Sequence, residues 1–200
     1  MKKTVLIIIL FVASLSALKA QMSIFQVSWD IAFPMGEIKD QYIDEASMRG
    51  ISIGGRKFVY DWFSFGGKAG WQTFNQKLSG TQIVNETTDL TGTQFRYVNA
   101  FPIMANAHFY MGQDEGIRPY IGTNVGVTFV TQRTDVGLWT VSDNSTHFGI
   151  APEIGVLIPI GIAGGGISLS AKYEQAFKSN NAFDMHIQYL TASIGFIFAN

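Results

Sequence analysis

The chain has 200 residues, of which 47% are hydrophobic, 14% are charged and none is cysteine. This composition fits one domain and excludes a disordered chain, because disordered chains are poor in hydrophobic residues and rich in charge. The lack of cysteine excludes disulfides and cysteine-ligated metals, and a formal net charge of −1 leaves no basic excess for binding nucleic acid.

Residues 1–20 have the layout of a secretory signal peptide. Lys2 and Lys3 precede an apolar run, and small residues lead to Ala20, after which we expect cleavage. The apolar run is shorter than the roughly 20 residues that a membrane-spanning helix needs. The sequence therefore predicts an exported chain in which residues 21–200 form a single barrel domain.

Most of the mature chain alternates between apolar residues and polar or small residues. Because successive side chains of a β-strand point to opposite faces, each alternating segment predicts a strand with one apolar face. The pattern occurs in residues 25–33, 47–57, 63–71, 95–110, 121–129, 148–158, 167–173 and 190–198. Pro102 lies inside one of these segments and predicts a bulge or a gap in the pairing there. An even number of consecutive strands predicts an all-β fold, an eight-stranded antiparallel up-and-down transmembrane β-barrel.

The links between the predicted strands alternate in length. Short links fall near residues 58–61, 111–117 and 160–165, and mostly longer ones near 34–46, 75–94, 131–146 and 178–185. All long loops should therefore emerge at one end of the barrel. Outer-membrane barrels are built in this way, with short periplasmic turns and longer external loops.

The direction of the apolar face distinguishes a membrane barrel from a lipocalin-like soluble barrel. The small and polar face carries too few charges for a soluble surface, and the apolar face carries aromatic residues near its strand ends, as expected for two interfacial girdles. We therefore predict that the apolar face points outward to lipid and that the charges form a structural network in the lumen. These charges are Asp30, Arg56, Lys68, Arg96, Glu153, Lys172 and Glu174.

Four segments also suggest a family: the leader ending in KAQ, RPYIGTNVGV (118–127), FGIAPEIGV (148–156) and YLTASIGFIF (189–198). The mature chain resembles the porin-family outer-membrane β-barrel domain proteins of Bacteroidota-type bacteria, which are similar in build to the small OmpA-, OmpX- and OmpW-like barrels. The closing strand resembles the signal that the barrel-assembly machinery reads, although Ala199 and Asn200 follow the terminal aromatic Phe198. The resemblance implies localisation in the bacterial outer membrane, with lipids and lipopolysaccharide as surroundings, far more firmly than it implies an activity.

The three histidines are the candidates for a catalytic site. Asp184 and His186 share a strand face, but that face should point towards headgroups rather than into a cleft. Ser145 and His147 stand in the reverse order of the His-x-Ser pair found in lipid A deacylase barrels. His108 should be a satisfied lumen side chain, and the separation of the three histidines argues against a zinc triad. The sequence therefore predicts no enzyme activity, no metal and no cofactor.

A filled lumen is expected, because an eight-stranded barrel has an interior just wide enough for side chains. Glu153 and Lys172 should form an ion pair between adjacent strands; the alternative is that such pairs line a permeation path. Several bulky side chains are expected to point inward and to prevent a wide pore: Met48, Arg56, Arg96, Met104, Tyr120, Leu157 and Tyr189.

Segments 75–94 and 131–146 are the predicted interaction surfaces, since long loops on a rigid scaffold often carry binding. Trp139 is a candidate for contact with an unknown ligand; the alternative is that it rests on the barrel rim or dips into headgroups. We thus expect an integral outer-membrane barrel with a structural or surface-interaction role, favoured as a monomer. The alternatives are a narrow porin or transporter for small solutes and a lipid-modifying enzyme.

Overall fold

The computed structural model describes residues 22–85, 88–112, 116–160, 164–178 and 185–199. The predicted signal peptide lies outside these ranges. Within them, no helix is long and apolar enough to cross a membrane.

The described residues form eight strands and one short helix. In chain order these are β1 (Ser23–Met35), α1 (Gly36–Gln41), β2 (Ser47–Tyr60), β3 (Phe63–Asn85), β4 (Thr88–Tyr110), β5 (Arg118–Val136), β6 (Trp139–Pro159), β7 (Gly165–Ala176) and β8 (Ile187–Ala199). Each strand pairs antiparallel with the next, and β8 pairs with β1, so the sheet closes into a barrel. Closure removes the sheet edges whose unpaired backbone groups would each cost several kcal/mol in lipid. The predicted fold class is confirmed.

The two ends of the barrel differ, as the link lengths predict. The ends of β2, β4 and β6 lie at the end from which β1 starts, and we call this the periplasmic end because the short links follow these strands in the sequence. The external end carries α1 with residues 42–46, the tips of β3 and β4, the β5–β6 turn, and residues 177–178 and 185–186.

Two segments predicted as loops are strands instead. Residues 75–85 and 88–94 continue β3 and β4, and residues 131–136 and 139–146 continue β5 and β6. Only Gly137 and Leu138 separate β5 from β6, and Gly137 has φ 59, a left-handed conformation that glycine adopts without strain. Most side chains of residues 131–136 and 139–146 are exposed or half-buried, so the polar composition of this hairpin reflects contact with water rather than irregular backbone.

Proline interrupts the ladder without shifting the register. The pairs between β3 and β4 run from Ala69↔Ile103 to Gln72↔Ala100 and skip the pair that would contain Pro102. The predicted gap at Pro102 is therefore confirmed. Pro152 coincides with a similar gap between β6 and β7, which the sequence analysis did not anticipate.

A bulge corrects the predicted direction of one side chain. The β1–β2 register shifts between Asp30↔Gly50 and Ala32↔Ser47, so one extra residue is inserted in β2. The insertion reverses the inside–outside parity of the residues before Gly50. Met48, predicted to point inward, is therefore 66% exposed, and Ser47 is buried in its place.

Side chains fill the lumen in three layers. The basal layer, at the periplasmic end, is an apolar cluster of Ile24, Phe58, Tyr110, Tyr120, Leu157 and Ile197. The mouth cluster, at the external end, contains Ile38 and Ile43 from the α1 region together with strand residues such as Phe74, Val98 and Tyr189. Between them lies a polar layer that holds most of the predicted network.

Candidate functional site

Arg56 stands at the junction of the basal layer and the polar layer. Its guanidinium donates hydrogen bonds to the Tyr110 hydroxyl (3.0 Å) and to Gln26 Oε1, and it lies 5.6 Å from the centre of the Tyr120 ring. The nitrogen that donates to Tyr110 also contacts His108 Nδ1. The cation is thus surrounded by hydrogen-bond acceptors and aromatic faces, which offset part of its loss of hydration.

Glu153 is the anion on the opposite wall of this region. Its two carboxylate oxygens accept hydrogen bonds from the Tyr120 hydroxyl (2.8 Å) and from Asn124 Nδ2 (2.9 Å). His108 Nε2 lies 3.8 Å from the same carboxylate, and the His108 ring stacks on Tyr120 with centroids 4.9 Å apart. His108 therefore lies in the lumen between Arg56 and Glu153, at the position predicted for it.

The expected ion pair between Glu153 and Lys172 is replaced by a different pair. The two residues are register partners on β6 and β7, but the Lys172 ammonium lies 2.5 Å from Glu174 Oε1. Lys172 and Glu174 stand two residues apart on one strand and share its inward face. Tyr120 and Asn124 already satisfy Glu153, so Lys172 pairs with its nearer neighbour.

Asp30 and Lys68 face a small cavity in the middle of the barrel. The cavity has a volume of about 20 Å³, enough for about one water molecule, and Lys172 and Glu174 also line it. A second cavity of about 10 Å³ lies between Lys68 and Arg56. Asp30 Oδ1 has no protein partner among the described residues, so this polar space is suited to ordered water.

Arg96 belongs to the external mouth and not to the polar layer. It donates hydrogen bonds to the backbone oxygens of Tyr42 (2.9 Å) and Gln41 (3.3 Å), and its guanidinium lies 5.3 Å from the Tyr42 ring centre. Arg96 thereby holds residues 36–46, which we call the mouth segment, inside the end of the barrel. Of the seven predicted network residues, the structure brings the other six together around the two cavities.

The mouth segment is attached to two further strands. The Tyr42 hydroxyl donates to the backbone oxygen of Arg133 (3.0 Å) on β5, and burial raises the pKa of this hydroxyl, which stays protonated at neutral pH. Asp44 bonds the Gln76 side chain on β3. Ile38 and Ile43 are fully buried below these contacts and close the lumen with apolar groups.

Glu37 ties the mouth segment to the end of the barrel near β8. Its carboxylate accepts a hydrogen bond from the backbone N–H of His186 (2.8 Å) and lies 3.7 Å from the Lys178 ammonium. The hydrogen bond from His186, followed by the charge of Lys178, holds the pKa of Glu37 below its usual 4.5. Glu37 is therefore ionised at neutral pH.

Arg118 is a buried cation that the sequence analysis did not select. Its guanidinium lies 5.1 Å from the ring centres of both Phe58 and Tyr110, and it bonds the backbone oxygen of Asp61. It joins the basal layer to the β2–β3 turn. Its position as the first residue of β5, at the start of RPYIGTNVGV, is the signal that could have found it.

The two candidate catalytic pairs lie in different surroundings. Ser145 Oγ and His147 Nε2 are 2.7 Å apart, and His147 Nδ1 is 2.8 Å from the Phe177 carbonyl, so this pair is hydrogen-bonded despite its order in the sequence. Ser145 is 8% exposed and His147 is 1% exposed, which leaves no room for an acyl substrate at Oγ. His186 contacts Gln175 and the edge of Phe177, and Asp184 lies outside the described residues.

Trp139 begins β6 at the tip of the external β5–β6 hairpin. It is 81% exposed, and its neighbours Leu138 and Val141 are also strongly exposed. The hairpin therefore ends in an apolar tip well beyond the mouth cluster. In the described ranges, no group of three or more His, Asp or Glu side chains is arranged to hold a metal ion.

The outer surface of the barrel wall is apolar. Phe25, Trp29, Ile53, Val125 and Phe196 are among the large apolar side chains that point away from the lumen and are exposed, while serine, threonine and charged side chains face inward. A wall of this kind is stable only against lipid. The chain has the fold of an outer-membrane β-barrel. Its apolar wall places it in a membrane, and outer-membrane localisation is confirmed.

Comparison with solved structures agrees with this assignment. The chain is similar to OprG of Pseudomonas aeruginosa, with a TM-score of 0.57 at 13% identity over 91% of this chain and 97% of that one. It is also similar to Ail of Yersinia pestis, with a TM-score of 0.53 at 11% identity over 90% and 99% of the two chains. Neisserial surface protein A gives a TM-score of 0.52 at 12% identity over 88% and 95%.

No family model matches the chain, and no curated protein matches it significantly. Sequence identities this low show that the folds are similar, but they do not show a shared family or function. The Bacteroidota-type family therefore stays a prediction.

Proposed function

We propose that the chain is a non-conducting, non-catalytic outer-membrane protein that presents an external β-sheet for interaction at the cell surface. The observation that carries the proposal is the unequal length of the strands above a closed mouth. The barrel wall anchors the molecule, the filled lumen keeps it rigid, and the external extension of β3 to β6 supplies the contact surface.

The strand lengths support a surface role. A membrane-spanning strand needs about 9–11 residues. β3 and β4 have 23 residues each, and β5 and β6 have 19 and 21, whereas β7 has 12 and β8 has 13. Four neighbouring strands therefore continue far past the external rim as one sheet. The part of this sheet that lies beyond the external rim does not span the membrane.

The closed mouth supports the absence of a pore. Solutes that enter from outside meet the mouth segment, whose Ile38 and Ile43 are buried in the mouth cluster. Solutes that enter from the periplasm meet the basal layer, including Phe58 and Tyr120. The space between these apolar layers is reduced to two cavities of about 20 Å³ and 10 Å³. A narrow porin would have to move the mouth segment.

A structural neighbour with a similar fold supports attachment as the type of surface interaction. Ail, one of the structural neighbours, is an attachment invasion locus protein. It shows that a barrel of this fold can serve attachment. The apolar tip at Leu138, Trp139 and Val141 gives this chain a surface that is suited to a protein or glycolipid partner, because exposed apolar patches mark interaction sites.

Photo-crosslinking on intact cells tests the surface role. A benzoylphenylalanine residue in place of Trp139 should form adducts with molecules outside the barrel. The same residue in place of Tyr60, which is exposed at the periplasmic end, is the matched control and should give a different set of adducts. If position 139 captures nothing that position 60 does not also capture, the proposed interaction surface is wrong.

Planar-bilayer recording tests the closed lumen. The unmodified protein should show no stable single-channel conductance. A large and stable conductance would support the alternative of a porin for small solutes.

A further inference from the structure

An open groove crosses the lipid-facing wall near the periplasmic end of β1, β2, β3 and β8. Its volume, counted to the open mouth, is about 950 Å³, and Phe25, Gly55, Lys57, Phe65 and Phe198 line it. Phe25 and Phe198 are register partners with ring centroids 6.5 Å apart and form one wall. Phe65, on β3, forms the opposite wall.

Gly55 lines the floor of the groove and its partner Gly67 lies beside it, although the fold requires glycine at neither of these two positions. Gly55 pairs with Phe25 on one side and with Gly67 on the other. A Cβ built on Gly55 would meet no atom within 4 Å, and one on Gly67 would meet only the Met104 oxygen at 3.6 Å. Neither glycine has a positive φ. A larger residue would therefore fit at both positions, and glycine leaves a furrow that something outside the chain can fill.

Lys57 places one positive charge at the foot of this furrow. It is the register partner of Phe65 and of Ser23, at the start of β1, so it lies near the periplasmic interface. The exposed aromatic rings of Tyr60 and Trp62, stacked 5.4 Å apart at the following turn, mark this interface. Among the described residues, Lys57 has no ion-pair partner.

A lysine near the rim of a lipid-facing surface extends its ammonium to the membrane interface, where it meets water and lipid headgroups. At this depth the available anions are the phosphates of the periplasmic leaflet. The walls of the groove are aromatic and its floor is flat, which suits the packing of an acyl chain. The Lys57 ammonium and the apolar groove together match one class of molecule, a phospholipid with a net negative charge.

We infer that this furrow is a binding site for one anionic phospholipid of the periplasmic leaflet, with the acyl chain on Gly55 and Gly67 and the phosphate at Lys57. The site lies on the opposite side of the membrane from the external sheet, so it does not rest on the proposed surface role.

Native mass spectrometry of the detergent-solubilised barrel with added phosphatidylglycerol or phosphatidylethanolamine tests the site. The unmodified protein should retain one phosphatidylglycerol in preference to phosphatidylethanolamine. Lys57→Gln should lower retention of phosphatidylglycerol about fivefold, the effect of one lysine near an anionic membrane surface. Gly55→Leu should abolish retention of either lipid by filling the furrow, since the added side chain meets no protein atom.

Two matched controls accompany these variants. Lys77→Gln removes a lysine from the exposed external part of β3, and Val125→Phe enlarges an exposed residue on the lipid-facing side of β5, away from the groove; neither should change retention. Heat-modifiable gel migration should show a folded barrel for every variant. Equal retention of both lipids by the unmodified protein, or an equal loss in Lys77→Gln, would overturn the inference. A dimer that Gly55→Leu abolishes would also overturn it, because a second copy would then occupy the groove.

Discussion

Arg96→Ala should loosen the mouth segment. The arginine donates hydrogen bonds to the backbone oxygens of Tyr42 and Gln41 and lies over the Tyr42 ring. A hydrogen bond from a charged donor contributes about 1.5–3 kcal/mol, and an exposed cation–π contact about 0.5–1 kcal/mol. Because the guanidinium is partly exposed, we take a total of about 2 kcal/mol, which corresponds to roughly a 30-fold rise in the ratio of open to closed mouths.

Amide hydrogen exchange of residues 36–43 measures this ratio, because the amides of the mouth segment exchange when the segment opens. At the same pH, these amides should exchange about 30-fold faster in Arg96→Ala than in the unmodified barrel. Arg133→Ala is the matched control, because the Arg133 side chain pairs with Asp135 (2.8 Å) at the exposed surface and its backbone oxygen, which Tyr42 uses, is retained. An exposed ion pair contributes about 0–1 kcal/mol.

Two results would refute this reasoning. If Arg96→Ala and Arg133→Ala had the same open fraction, Arg96 would not hold the mouth closed. If the unmodified protein already conducted steadily, the mouth segment would not be the barrier to solutes.

Three further predictions concern the wall, the mouth and the buried hydroxyl. Val125→Arg should lower the free energy of unfolding by about 2–4 kcal/mol, measured by urea titration of the folded band, because Val125 is exposed to lipid; a loss below about 0.5 kcal/mol would contradict the outward facing. Glu37 has a lowered pKa, so its stabilisation of the mouth segment is complete above pH 4.5 and is lost as the pH falls through the folded value; the protection of residues 36–41 against hydrogen exchange, relative to an unfolded chain at the same pH, should fall in acid, but not in Glu37→Gln. Ser145→Ala should leave the lipid A mass spectrum of expressing cells unchanged, and a spectrum that differs between the two proteins would restore the lipid-modifying alternative.

Alternation predicts which charges face the lumen but not which of them meet. Asp30, Arg56, Lys68, Glu153, Lys172 and Glu174 share the inward parity that alternation predicts, and the structure places them around two adjoining cavities. Parity does not decide height along the barrel. For this reason Arg96, which has the same parity, lies with the mouth segment, and Asn124 satisfies Glu153 where Lys172 was expected.

The buried mouth segment could not have been predicted from its own residues. Residues 36–46 contain several charged side chains and read as an external loop. Ile38 and Ile43 are buried because Val98, Phe74 and Tyr189 line the barrel at the height where the segment folds back. That coincidence depends on the register of strands distant in the chain.

The sequence by itself determined the number of strands, their order, the closed barrel and the outward direction of the apolar face. These properties follow from a period of two and from link lengths, both of which are local. Only the tertiary structure decided which inward charges meet, that β3 to β6 continue outward as a sheet, and that Met48 turns outward at a bulge. These features depend on register and on contacts between distant strands, and a one-residue shift in either strand reverses the direction of every following side chain.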